Sequence, residues 1–208
     1  MNINIKEKVE FILNFLENNY RYAKCSLIYK TPHELLIATR LSAQCTDHKV
    51  NSVTKDLFLK YKNIYSFANA DIEDIKKIIN PCGLSNKKSS DIVNISKILV
   101  EKFNCIIPNS IEDLLKLPGV GRKTANLILG ELYNKSVIVV DTHLIRISNR
   151  LGLVEDKNPK KIEESLKKII PQEKSLKFCH MIIEFGRTIC RSRTPFCDKC
   201  HLKKICIK

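Results

Sequence analysis

The chain has 208 residues, enough for one large domain or two small ones sharing a core. Lys and Arg number 36 against 22 Asp and Glu, and the net charge of +14 points to a polyanionic partner, first among them nucleic acid. No stretch approaches the roughly eighteen apolar residues of a membrane span, and an odd count of nine cysteines argues against a disulfide scaffold, so a soluble chain in a reducing, intracellular compartment is expected.

The N-terminal stretch MNINIKEKVEFILNF contains Glu7 and Glu10 and an apolar stripe of Val9, Phe11, Ile12, Phe15 and Leu16. It is predicted as an amphipathic helix rather than a signal or transit peptide. Thr31-Pro32-His33-Glu34 has the form of a capping box with proline at the first helical position, opening a helix with Leu35, Leu36 and Ala38. Asp47 is expected to cap a helix through Val50, Val53, Leu57 and Phe58. Asp71 is expected to cap another, with Ile72, Ile75 and Ile78, that stops before Pro81. Residues 86–103 repeat apolar positions at Ile92, Ile95, Leu99 and Val100. Ser110 caps a short helix with Leu114, Leu115 and Leu117 that Pro118 ends. After a turn at 118–121, residues 122–133 read as a helix with Ala125, Leu127, Ile128 and Leu132 apolar. Val137–Val140 has no second strand to pair with and reads as a buried extended connector. Helices over 141–151, 160–170 and 175–188 complete an all-α chain of about ten helices without a sheet.

Leu117-Pro118-Gly119-Val120-Gly121-Arg122-Lys123 is a glycine hairpin between two helices. Gly119 and Gly121 permit backbone angles closed to other residues and let a phosphate approach the chain. The free N–H groups opening the second helix then face that anion, as in a helix-hairpin-helix clamp on the DNA backbone that reads no sequence. Lys123 stands in the first turn of that helix, where the positive helix end disfavours an ammonium, and Arg122 acts the same way. Asp141 stands at the expected N-cap of the following helix, which keeps its carboxylate ionised. A neutral amine with a fixed carboxylate suits attack at a sugar anomeric carbon, the amine forming a covalent intermediate. Taken singly, Lys123 also fits a phosphate contact and Asp141 a plain helix cap.

Cys190, Cys197, Cys200 and Cys206 are spaced C-x6-C-x2-C-x5-C. Four thiolates converging from one short loop suit a cubane iron–sulfur cluster. A zinc knot with His201 as a spare ligand is the alternative, although such sites usually pair two short C-x2-4-C hooks and only one is present. Arg191, Arg193, Lys199, Lys203 and Lys204 make the loop basic. The other five cysteines, Cys25, Cys45, Cys82, Cys105 and Cys179, read as buried free thiols.

The hairpin with Lys123, the segment Val140-Asp141-Thr142-His143 and the four terminal cysteines together resemble the endonuclease III family of helix-hairpin-helix DNA glycosylases and abasic-site lyases. The resemblance runs from about residue 5 to 206. It implies an all-helical, two-lobed protein. One lobe is a six-helix barrel over residues 25–135, and the other, residues 1–24 and 136–208, carries one [4Fe-4S] cluster. The damaged nucleotide would flip into the cleft between them. Lys123 then becomes the Schiff-base nucleophile, Asp141 the residue that assists it, and the four cysteines the cluster ligands. Gln44, in Leu41-Ser-Ala-Gln-Cys-Thr-Asp47, would fill the gap left by the flipped base, and Leu84 after Gly83 would act as a wedge from the opposite side. Gly119, Val120, Gly121, Arg122, His143, Arg191 and Arg193 are the further expected DNA contacts. Cys45 and Ser85 depart from the small residue and the aromatic common at those two places.

The implied activity is base excision repair on duplex DNA containing a damaged base or an abasic site. Oxidised pyrimidines, having lost stacking, would be removed and the strand cut 3′ to the site by β-elimination. The protein is expected to be a monomer of the cytoplasm or nucleoid, the short N-terminus favouring a bacterium (nucleus or mitochondrion in a eukaryote). A monofunctional mismatch glycosylase is one alternative. Such relatives lack a lysine at the position of Lys123 and usually carry an extra C-terminal domain, whereas this chain stops two residues after Cys206. A non-catalytic DNA-binding iron–sulfur sensor is another; it leaves the pairing of Lys123 with Asp141 unexplained.

Overall fold

A computed structural model describes residues 4–207, which form eleven α-helices and four single 3-10 turns with no strand among them. Residues 1–3 and 208, included in the expected second lobe, lie outside the described residues. The chain divides into two compact units: Cys25–Tyr133, and the segments before and after it.

The unit Cys25–Tyr133 holds α2 (Pro32–Leu41), α3 (Asp47–Lys60), α4 (Ile64–Ala68), α5 (Ile72–Ile79), α6 (Ser85–Lys102), α7 (Ile111–Leu114) and α8 (Arg122–Tyr133). Its core gathers Ile37, Leu41, Val50, Leu57, Phe67, Ile75 and Ile92, each fully buried. At about 1.5–3 kcal/mol per buried aliphatic or aromatic side chain, this cluster is the main force behind the unit. Most N-caps stand where the sequence places them. Thr31 accepts from the Glu34 amide, Asp71 from that of Glu73 and Ser110 from that of Asp113. Two expectations change. Glu34 turns its carboxylate to the Lys30 amide at 2.6 Å, leaving the capping box at Thr31 half-built. Thr46, not Asp47, caps α3; Asp47 is already helical and accepts the Ser26 hydroxyl at 2.7 Å. The short α4, capped by Asn63, adds a helix that the sequence did not announce.

In the other unit α1 (Ile5–Tyr20) packs on α11 (Ser175–Thr188), which packs on α9 (Thr142–Arg150); α10 (Pro159–Ile169) also touches α1. Val9, Ile12, Leu13 and Leu16 make the buried face of α1. Phe11, counted in the expected stripe, is 48 % exposed, because at 100° per residue it falls off the face that positions 9, 12, 13 and 16 share. Val137–Val140 is a buried connector outside any helix or strand, with every residue under 9 % exposed. No helix among the described residues is long and apolar enough to cross a membrane.

Candidate functional site

The hairpin is built by one glycine and a buried ion pair. Leu114, Leu117 and Val120 are buried, and the Val120 amide donates to the Leu117 carbonyl at 3.1 Å, closing the turn. Gly119 has φ +71, in the left-handed region, and a Cβ there would stand 2.2 Å from Arg40 Nε and 2.6 Å from Asp91 Oδ2. Arg40 on α2 donates to Asp91 Oδ2 on α6 from Nε (2.8 Å) and Nη2 (2.6 Å), both residues being under 9 % exposed. The turn therefore rests its backbone directly on that pair. Gly121 differs from the expectation for it: its φ is not positive and nothing lies within 4 Å of its would-be Cβ. Its missing side chain leaves open space in front of the α8 N-terminus. Val120, expected among the DNA contacts, offers only backbone, its side chain being in the core. Ala125, Ile128 and Leu129 bury one face of α8, which leaves Lys123 exposed in its first turn and Arg122 half-buried.

Two further turns of the same unit carry the expected base-probing residues. Gln44 (φ 54) and Leu84 (φ 51) are non-glycine residues in the left-handed region, and both are exposed. Such a backbone costs a side-chain-bearing residue about 1–2 kcal/mol, so the surrounding structure must hold it. Leu84 follows Gly83 (φ 68) and directly precedes α6, with its side chain 55 % exposed, against the usual preference of leucine for the interior.

The other unit holds Asp141, His143 and the cysteines. Asp141 is the N-cap of α9, its Oδ1 accepting the Leu144 amide at 2.8 Å. His143 is half-buried, its Nδ1 3.2 Å from Arg146 Nη2. Arg146 and Arg150, neither singled out by sequence, run from α9 to the cysteine loop. Arg146 Nη2 donates to the Cys190 carbonyl at 2.9 Å. Arg150 donates to the carbonyls of Arg191 (2.8 Å) and Ser192 (3.0 Å), with Nη1 3.4 Å from Cys190 Sγ. The signal in the sequence was their spacing of four, which puts both on one face of the helix. Arg191 and Arg193 are exposed, the Arg191 guanidinium lying 4.5 Å from the Phe196 ring centroid.

Cys190, Cys197, Cys200 and Cys206 line a single cavity of about 260 Å³, walled otherwise by apolar groups that include Phe185 and Phe196 and by Arg150 and Lys203. Burial pushes the Cys200 thiol up, and the fields of Cys190, Cys206 and Cys197 push it the same way. Four cysteine sulfurs around a largely apolar space suit a group that bonds them as thiolates. The space is larger than a lone tetrahedral ion needs. The donor set therefore fits a polynuclear, all-sulfur group. His201, the spare ligand of the zinc alternative, does not line the cavity and packs instead against the Phe15 ring, 6.0 Å between centroids.

A family model for HhH-GPD superfamily base excision DNA repair proteins matches residues 37–172. The endonuclease III of a Synechocystis species is 42% identical over 202 residues, covering 97% of this chain and 92% of that protein. The endonuclease III of Bacillus subtilis is 38% identical over 205 residues, covering 98% and 93%. Among solved structures, a trapped endonuclease III–DNA covalent intermediate matches with a TM-score of 0.93 and 38% identity over 99% of this chain and 97% of that one. A non-covalent endonuclease III–DNA complex matches with a TM-score of 0.94 at the same identity, over 99% and 96%. An all-helical chain with this hairpin, matched from end to end by such proteins, belongs to the endonuclease III family of the HhH-GPD base excision DNA repair superfamily.

Proposed function

We propose that this chain is a bifunctional DNA glycosylase and abasic-site lyase that removes oxidised pyrimidines from duplex DNA through an imine on Lys123. The observation that carries the proposal is Lys123 itself: a solvent-facing amine in the first turn of α8, directly after a hairpin with open space at Gly121. Phosphates approach the hairpin amides along that open side, which grips the backbone without reading sequence. Gln44 and Leu84 enter the stack from their strained turns and offset the few kcal/mol that extruding a base costs.

Attack by the Lys123 amine at C1′ forms the carbon–nitrogen bond as the base leaves with the glycosidic electron pair. The Asp141 carboxylate, held at the N-cap of α9, stabilises the positive charge that builds on the sugar. Opening of the sugar ring gives the imine, which acidifies the C2′ proton. Loss of that proton expels the 3′ phosphate and cuts the strand. Cys190, Cys197, Cys200 and Cys206 would hold a [4Fe-4S] cluster, which when bound supplies iron–thiolate cross-links that fix the basic loop of Arg191 and Arg193. A helix-hairpin-helix protein that only binds DNA would form no covalent bond to it. Borohydride added to the chain with an abasic duplex therefore decides: a covalent adduct is expected, and Lys123→Gln should bind the duplex without forming one. No adduct with the wild-type chain refutes the lyase.

A further inference from the structure

Lys88 is fully inaccessible in the Cys25–Tyr133 unit, at 0 % exposure, and it has no part in the chemistry above. It lies in the first turn of α6 and donates from Nζ to two carbonyls, those of Leu41 and Cys82, at 2.8 Å each. Leu41 ends α2 and Cys82 ends the 3-10 turn Asn80–Cys82. Both acceptors are thus terminal carbonyls, which have no partner inside their own helix and stand at a negative helix end. Both acceptors are uncharged, burial disfavours the ammonium, and the nearby Arg40 guanidinium opposes it further. A core position that needed only volume would be filled at lower cost by leucine or methionine.

What the two carbonyls have in common is where the chain goes next. Three residues past Leu41 stands Gln44, and two past Cys82 stands Leu84, both exposed and both in the left-handed region. Cys45 and Cys82, one from each turn, pack together beside the ammonium, so the two turns are in contact at this point. One turn further along α6, Asp91 holds Arg40 and, through it, the Gly119 turn.

We infer that Lys88 is a positioning residue for base extrusion: its ammonium ties the Gln44 turn to the Leu84 turn and fixes the distance between the two inserted side chains. The inference rests on the roles proposed above for Gln44 and Leu84. Lys88 touches neither DNA nor the reacting atoms and acts only through these carbonyls. Its removal impairs the step in which a base leaves the stack and spares the chemistry at Lys123.

Lys88→Met keeps the chain length and removes the donors. With enzyme in excess, two single-turnover rates separate the steps: release of an oxidised pyrimidine from a duplex, which requires extrusion, and cleavage at an abasic site in a single strand, which does not. The duplex rate is expected to fall about tenfold or more, with the single-strand rate within about twofold of wild type. Equal falls in both rates, or no fall in either, overturn the inference. Adding Lys88→Met to a Gln44→Ala, Leu84→Ala chain should cause little further loss, and an additive loss overturns it as well. Should Lys88→Met not fold, Lys88→Arg keeps the cation but forces a longer, planar group between the carbonyls; a wild-type ratio of the two rates then overturns the inference. A wild-type chain that processes neither substrate refutes the repair function and this inference together, an outcome distinct from an active wild type with an unchanged ratio in the Lys88 variants.

Discussion

Gly119→Ala tests how the hairpin is held. The new Cβ would stand 2.2 Å from Arg40 Nε, 2.6 Å from Asp91 Oδ2 and 2.8 Å from Arg40 Cδ. Neither neighbour can swing away, since Arg40 is 7 % and Asp91 2 % exposed and two hydrogen bonds join them. The φ of +71 adds left-handed strain of about 1 kcal/mol. Forcing apart a buried ion pair costs about 3–5 kcal/mol, because it leaves charges without partners. Taking the lower end for the pair, since the turn can yield a little, and adding the strain, the variant should lose about 4 kcal/mol. For a chain of this length that is roughly 8–16 °C in Tm. Urea unfolding followed by far-UV circular dichroism measures it. In an Arg40→Ala, Asp91→Ala background the obstacle is gone, and the same change should cost only about 1 kcal/mol of backbone strain. Gly121→Ala is the control. Nothing lies within 4 Å, so stability should move by no more than about 0.5 kcal/mol while duplex affinity drops, the methyl standing where a phosphate comes in. A Gly119→Ala chain as stable as Gly121→Ala would refute the claim that the hairpin rests on the ion pair.

Asp141→Asn separates the helix cap from the charge. Asparagine caps as well as aspartate, so the melting temperature should hold while base release slows about 100-fold or more; an unchanged rate would reduce Asp141 to a cap. Duplex affinity should fall at least about tenfold between 50 and 200 mM salt if only two phosphates are neutralised, and a flat titration would deny the basic surface a role. The purified protein should be brown, with iron and acid-labile sulfide, and stoichiometric zinc in anaerobically isolated protein would contradict that. Arg150→Met, which loses the bonds to the Arg191 and Ser192 carbonyls, should release iron to a chelator faster than wild type, and an equal rate would leave Arg150 without a part in holding the loop.

The residues that spoke plainly in the sequence act locally. Thr31, Asp71, Ser110 and Asp141 cap helices because a short polar side chain reaches an amide two or three residues on, which a sequence shows directly. The hairpin and the cysteine spacing are equally short-range. What stayed hidden depends on partners far along the chain. Asp47 lost the cap position to Thr46 while its carboxylate met Ser26, 21 residues back. Lys88 sits in a polar run, Asn86-Lys87-Lys88-Ser89-Ser90, that reads as a solvated face; only its contact with Leu41, 47 residues away, shows it to be buried. Nothing local marks Arg146 and Arg150; their partners are carbonyls of the cysteine loop, about 40 residues further along the chain. Gly119 and Gly121 look alike in sequence, and the structure divides their work: one for a left-handed angle against the ion pair, the other for empty space.

The cysteine loop cannot be held by burial. Between Cys190 and Ile207 only Leu202 and Ile205 are buried, and most of the backbone bonds close short turns, such as the Cys200 amide on the Cys197 carbonyl and the Cys206 amide on that of Lys203. Each ordered residue costs about 1–2 kcal/mol of backbone entropy, far more over this stretch than two apolar side chains return. The side chains of Arg146 and Arg150 add hydrogen bonds at the start of the loop, at Cys190, Arg191 and Ser192, and the Arg150 carbonyl accepts the Ile207 amide at its end. Its middle, Arg193 to Cys200, carries basic side chains and is tied by little more than the Phe196 amide on the Ile189 carbonyl at 3.0 Å and the exposed ion pair of Asp198 with Lys203. A group that bonded Cys190, Cys197, Cys200 and Cys206 at once would tie that middle to both ends. In the role proposed above, such a group would give the loop its shape, and no electron would need to flow for it to matter to DNA binding.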